Sequence, residues 1–217
     1  TEMKRQISLL VLALLAAVLA GCGSAPAADM STEPAYAVIT DDMGRTVRLP
    51  KKPERVVVTS ASFLEPLEAV DGADLVVGRP DSKTKMPAYA KGLPSVGKVY
   101  QADTEKIIAC NPDLVIVNKG MNEKLVDTLE SNGIKTLVLD MKSYEDVKRE
   151  VGILAQVTGA GEKGEALIAD MDARIQAVRD KIPQDKRRVS VIHSTSQGLS
   201  VQLDGSIAGS VANMLGW

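Results

Sequence analysis

Short apolar runs recur along the chain from position 55, each followed by a stretch in which hydrophobic residues return every three or four positions. The runs are 55–59 (RVVVT), 74–78 (DLVVG), 95–97 (SVG), 113–118 (DLVIVN) and 135–140 (KTLVLD). They are continuously apolar rather than alternating, the pattern of parallel strands covered on both faces. Between them, Ser62-Phe63-Leu64-Glu65 reads as a capping box that opens a helix over 62–70. A helix over 121–132 closes at Gly133, a residue suited to the left-handed turn after a helix end. Strand–helix–strand repetition with short links predicts a doubly wound α/β lobe with right-handed crossovers. Residues 40–49 (TDDMGRTVRL) predict a small hairpin in front of it.

From Ser143 to Ile182 the strand signal stops. Ser143 is a helix cap, and Val147, Val151 and Leu154 form one apolar stripe. After a break at Gly159-Ala160-Gly161, Ile168, Met171, Ile175, Val178 and Ile182 recur at helical spacing. A helix over 162–182 would be roughly 31 Å long at the usual rise per residue, the width of a small lobe. Pro183 ends it. A strand over 188–193 (RVSVIH), a second over 199–203 and a helix from about Ser206 follow. The stretch 183–217 is too short to form a core alone. It either packs on the first lobe or belongs to a protein that continues past Trp217, and continuation is the expectation.

The N-terminus reads as an export leader. Met3-Lys4-Arg5 is a basic start, and residues 7–20 are apolar but too short for a membrane span. Leu19-Ala20-Gly21-Cys22 has the form of a bacterial lipobox, with Cys22 as the acylated residue. Thr1 and Glu2 precede the expected start. Residues 23–35 are small, polar and Pro-containing, a flexible tether. The expected organisation is leader 1–22, tether 23–35, N-terminal lobe 36–142, helical spine 143–182 and the start of a second lobe over 183–217.

Charge and cysteine usage narrow the class. From Cys22 onward there are 24 Lys and Arg against 27 Asp and Glu, once Glu2, Lys4 and Arg5 are set aside from the 26 and 28 of the whole chain. That balance gives no reason to expect nucleic acid. Once Cys22 is acylated, Cys110 has no partner, so no disulfide is expected, and in IIACNPDLVI it reads as a small buried hydrophobe. One histidine cannot build a three-histidine zinc or manganese site.

Three stretches together carry a family resemblance: ITDDMGRTVRLPKKPERVVVTSAS, LPSVGKVYQADTEKIIACNPDLVI and SNGIKTLVLD. The hairpin Asp41-x-x-Gly44-Arg45, then Glu105-x-Ile107 followed by Pro-Asp-Leu-Val-Ile, then a long spine helix, resemble the ABC-importer binding proteins for ferric siderophores, haem and cobalamin. The resemblance runs from about Val38 to the end. It implies two Rossmann-like lobes joined by a single long α-helix, with the ligand clamped between them and no catalysis. The second lobe is only begun in this chain. It further implies a permease and its ATPase as partners, a monomer on a lipid anchor outside the cytoplasmic membrane, and no bound cofactor. Glu105 would dock on the permease.

Parallel sheets bind ligands outside the carboxyl ends of their strands. Those ends place Ser60, Ser62, Phe63, Arg79, Lys98, Tyr100, Asn118 and Lys119 on one rim, with Lys142 beside them. Four of the five loops carry a cation, which suits an anionic chelate, although a Lys-rich chain also puts lysines in loops. Tyr100 stands near where haem-binding relatives place an axial ligand. It reads either as a hard oxygen donor to ferric iron or as an aromatic surface for a flat ligand. His193 is either a ligand facing the cleft or an ordinary strand-end histidine. Phe63 is a cleft contact or a core residue, and Met121 opens a helix.

Two motifs fail on context. Residues 159–164 (GAGEKG) match G-x-G-x-x-G, but helical sequence flanks them on both sides. Residues 92–99 (GLPSVGKV) approach a phosphate loop, but Val99 replaces the hydroxyl and Pro94 removes an amide. An oxyanion such as molybdate, held by Ser60, Ser62 and Asn118, is the alternative ligand class. An exported α/β enzyme using Asp113 or Glu65 is the alternative function.

Overall fold

The computed structural model describes residues 34–83, 86–182, 189–195 and 198–216. The leader, Cys22 and nearly all of the tether lie outside the described residues. The hairpin comes first, β1 (Ala37–Thr40) paired antiparallel with β2 (Thr46–Leu49). The central sheet contains β3 (Val56–Val58), β4 (Val76–Asp81), β5 (Ser95–Lys98), β6 (Gln101–Ala102), β7 (Leu114–Asn118) and β8 (Lys135–Leu139). Its order is β6-β5-β4-β3-β7-β8, parallel throughout except for the β5–β6 pair. All five strands expected from the apolar runs are present. β6, two residues long, has too little sequence to announce itself.

Alternate side chains of each strand enter two separate apolar layers, which is why the runs are continuously apolar. Val56, Val58, Leu114, Ile116, Leu137 and Leu139 face one layer, with α1 (Leu64–Ala69) and α4 (Tyr144–Thr158) over them. Val57, Val115, Val117 and Val138 face the other, under α2 (Thr104–Ala109) and α3 (Val126–Ser131). Cys110 is buried in this second layer, and burial pushes its thiol up. The β1–β2 turn docks on the sheet through Asp41. Its carboxylate accepts from the Met43 and Arg45 amides at 3.0 and 2.9 Å and pairs with the Arg45 guanidinium, while Arg45 reaches Glu130 at 2.8 Å.

Two local readings are corrected. The first helix is entered through a 3-10 turn at Ala61–Phe63, capped by Ser60, whose hydroxyl accepts from the Ser62 amide. Ser62 is exposed and caps nothing, because the turn begins two residues earlier than the Ser-x-x-Glu pattern places it. The second strand runs on to Asp81 rather than ending at Gly78. Pro80 is tolerated there because the β4–β5 register shifts between Arg79 and Asp81, a place where a missing amide costs little.

Ser143 caps α4 as expected, its hydroxyl accepting from the Asp146 amide at 3.1 Å, and Gly159 closes it at φ 75°. α5 (Gly161–Arg179) then turns back along α4. Gly164 meets Ala155 near the turn, while Asp172 meets Tyr144 and Lys148 near the start of α4. Of α5 only Gly164 is buried. The two strands and the helix expected at the end of the chain are present, the first strand running from Val191. β9 (Val191–Thr195) and β10 (Gly198–Gln202) pair antiparallel as a separate two-stranded sheet, and α6 (Ile207–Met214), capped by Ser206, lies against α4. Among the described residues no helix is long and apolar enough to cross a membrane.

Candidate functional site

The strand order dictates where a crevice can form. The chain starts at β3, steps outward through β4 and β5, and returns to the far side of β3 as β7. Successive connections therefore leave β3 and β7 on opposite faces, and their carboxyl ends flank the switch point at which α/β sheets bind ligands. Thr59 ties these ends together. Fully buried, it accepts from the Asn118 amide at 3.0 Å through Oγ1, and its own amide donates to the Ile116 carbonyl at 3.0 Å. Sequence reasoning passed over Thr59, because a bond between residues 59 apart leaves no local pattern.

The structure brings most of the named residues to this rim but engages them differently. Ser60 is buried and spends its hydroxyl on the cap, Ser62 is exposed beside it, and Asn118 is half-buried at the end of β7. Phe63 is 0% exposed and belongs to the core layer, so its core reading stands and its cleft reading does not. Arg79 lies inside β4 rather than in a loop. Its Nη1 donates to the Pro80 carbonyl and pairs with Asp81 at 3.3 Å, while its buried Nε has no partner. The Ser95 hydroxyl, and after it Arg79, hold the Asp81 carboxyl below the usual range.

The four cations are unequal. Lys119 donates to the Asp42 carbonyl at 2.7 Å and so fastens the β1–β2 turn to the rim. Lys142 is bound to Asp140 at 2.8 Å, and that hydrogen bond lifts its ammonium above its ordinary value. Both belong to a mixed-charge node in which Arg149 bridges Asp42 and Asp146 at 2.9 and 2.6 Å. Glu150 is buried beside this node with both carboxylate oxygens unpartnered. Burial first, and Asp42 next, push its carboxyl up to about 8. Lys98, by contrast, has no carboxylate partner among the described residues; its ammonium lies 5.9 Å from the centre of the Tyr100 ring. Tyr100 is 66% exposed. The free positive charge and the open aromatic surface therefore coincide at the β5–β6 tip.

His193 lies elsewhere. It is exposed on β9, opposite Ser200, in a sheet that shares no strand with the first. Glu105 is exposed in the first turn of α2, whose cap is Asp103, accepting from the Glu105 and Lys106 amides at 3.0 and 3.2 Å. Met121 opens no helix: it lies in the turn after β7, 54% exposed at the rim, and α3 starts only at Val126 after a 3-10 turn over Glu123–Leu125. The described residues hold no group of three or more His, Cys, Asp or Glu placed to hold a metal. The two rejected motifs are a helix break, with Gly159 at φ 75°, and a strand with its turn, with Gly97 at φ 99°.

A sheet of this topology, with its chemistry confined to the carboxyl ends and spread over loops, defines an α/β ligand-binding lobe. The chain belongs to the periplasmic binding protein family, whose profile matches residues 56–216. It is 29% identical, over 99% of its length, to a probable siderophore-binding lipoprotein of Bacillus subtilis (strain 168), and spans 68% of that protein. It is 26% identical to a cobalamin-binding protein of Halobacterium salinarum, covering 89% of this chain and 55% of the relative. The iron-uptake ABC transporter substrate-binding protein PiuA of Streptococcus pneumoniae superposes with a TM-score of 0.68 at 25% identity, over 79% of this chain and 62% of that one. The chain thus spans between about half and two thirds of the length of these proteins.

Proposed function

We propose that this protein is the extracytoplasmic solute-binding component of an ABC importer, capturing an iron chelate (siderophore or haem) or a corrinoid and delivering it to a permease and its ATPase. The observation that carries the reading is the switch point between β3 and β7, with Lys98, on the same rim, beside the exposed Tyr100 ring and without a carboxylate partner among the described residues. Siderophore- and cobalamin-binding relatives support it. In this reading the rim binds and orients the ligand and alters no bond. Ser60, Ser62, Arg79 and Asn118 line the crevice, and Lys119 holds its wall. α5 is the rod that carries a second lobe, and His193 would face the ligand from there. Glu105 docks on the permease, and Cys22 bears the lipid that keeps the monomer at the membrane.

Titration of the purified mature protein with haemin, a ferric tris-catecholate, cyanocobalamin and molybdate tests this, read by visible absorption and thermal shift. Saturable binding of one of the first three is expected. For an anionic ferric ligand, Lys98→Glu should weaken binding by about tenfold or more, through loss of attraction and gain of repulsion. Folded protein that binds none of the three overturns the reading. Binding of molybdate alone selects the oxyanion alternative.

A further inference from the structure

The Lys98–Tyr100 tip stands at the edge of the sheet, and the strands that carry it are short. β5 has four residues and β6 two, joined by the two-residue turn Val99-Tyr100. A hairpin of that size holds no fixed direction by itself. Its base is tightly built: the Ser95 hydroxyl accepts from the Gly97 amide at 3.2 Å, and the Asp103 amide donates to the Val96 carbonyl at 2.8 Å. A Cβ on Gly97 would come within 2.7 Å of the Gln101 carbonyl oxygen, so the chain crosses itself closely there. None of these contacts reaches the tip.

One side chain does. Asn122, only 3% exposed, donates its side-chain amide to the Val99 carbonyl. Its own backbone is fixed on both sides, its amide donating to the Asn118 carbonyl at 3.0 Å and its carbonyl accepting from Leu125 at 2.9 Å. Asn122 follows β7, which lies three places from β5 in the sheet, about 14 Å at the usual strand spacing. The bond therefore spans the rim, joining the loop after Asn118 to the tip that offers Lys98 and Tyr100.

We infer that Asn122 is a positioning residue: by gripping the Val99 carbonyl it fixes the direction in which the Tyr100 ring and the Lys98 ammonium are presented to a ligand. This rests on the function proposed above. The chemistry needs an uncharged donor on a short stem. Aspartate has the same shape but brings an acceptor against an acceptor, and serine cannot span the gap.

The test separates the strut from the ligand. Amide hydrogen exchange over residues 96–102 is measured without ligand in the full mature chain, its Asn122→Asp and Asn122→Ser variants and Tyr100→Ala. Binding of haemin, of a ferric tris-catecholate and of cyanocobalamin is measured alongside. Both Asn122 variants should speed exchange at the tip about tenfold or more, while exchange in β3 and β7 stays as in the parent. Whichever probe the parent binds should bind about tenfold more weakly, and combining either variant with Tyr100→Ala should add little further loss, because the two act as one unit. Unchanged exchange at the tip overturns the inference whatever binds. A loosened tip with unaltered affinity overturns it too. If the parent binds none of the three probes, the functional reading fails, and the exchange data still decide whether Asn122 holds the tip. Serine serves as the second variant should aspartate prevent folding.

Discussion

α4 and α5 follow one another across a single left-handed glycine and carry similar apolar spacing, yet one is built into the core and the other lies largely in solvent. In α4, Val151, Leu154, Ala155 and Val157 are buried against the sheet layer. In α5, Leu167 and Ile168 are partly covered by that layer, Met171 and Ile175 are half-buried, and Val178 is 48% exposed. The stripe divides near Asp172, which touches the first turn of α4. Before that point α5 has a neighbour; beyond it, the neighbouring helix has ended. An amphipathic pattern identifies the face that calls for cover, and it does not say that cover is present. The hairpin β9–β10 repeats the lesson. Ile192, Leu199 and Val201 share one of its faces and are 62%, 77% and 62% exposed.

The largest expected effect tests this contrast directly. Leu154→Ala removes a fully buried side chain from a packed layer and should cost about 2–5 kcal/mol. Ile175→Ala, half-buried on α5, should cost less than about 1 kcal/mol. Urea unfolding of both variants measures the difference. Equal losses would mean that the outer half of α5 is packed in solution, and the comparison would fail.

A second difference is electrostatic, since α4 buries a carboxyl. Glu150 has an ordinary value of 4.5 but is pushed up to about 8 in the folded chain, mainly by burial, with Asp42, Asp146 and Asp140 adding to it and Arg149 opposing. A raised folded value means that the native state holds the proton more tightly than the unfolded one. The contribution is therefore complete below about pH 4.5 and is lost as pH rises toward 8, a total on the order of a few kcal/mol. Glu150→Gln removes the titration. The variant should match the parent near pH 4.5, exceed it in stability at pH 8.5, and lack the parent's decline between. Superimposable stability profiles for the two proteins would rule out a buried, proton-holding Glu150.

These contrasts also mark what could be read from residues alone. β3, β7 and β8 were legible because strands covered on both faces must be apolar at every position, and Val56–Val58 and Leu114–Asn118 satisfy that without help from neighbours. Gly133 and Ser143 were legible because caps act within four residues. Ser60 was displaced by Ser62 because only Ser62 has a glutamate three residues on, whereas the 3-10 turn that makes Ser60 the cap is set by packing of Phe63. The end of β4 was missed because proline argues against a strand unless the register shift is known. On the rim, composition showed four cations but could not show that Lys119 and Lys142 are held by Asp42 and Asp140. Thr59 and Asn122 act through partners 59 and 23 positions away, and nothing local marks them.

The smallest effect concerns the tie between the two helices. Asp172 on α5 accepts from the Tyr144 hydroxyl at 2.9 Å and from the Lys148 ammonium at 3.0 Å, and Lys148 also pairs with Glu145. These bonds hold the Asp172 carboxyl below its ordinary value, Lys148 first and Tyr144 second. The group is open to water, so solvent and salt screen the pair strongly. Asp172→Asn keeps the shape and an acceptor for Tyr144 but removes the charge that holds Lys148. It should lower Tm by no more than about 2 °C at low ionic strength, with the difference vanishing in 1 M salt. A larger fall that persists in salt would mean that Asp172 fixes the direction of α5 rather than decorating its surface. The exposed half of the helix would then be held rigid from its base, with no cover along its length.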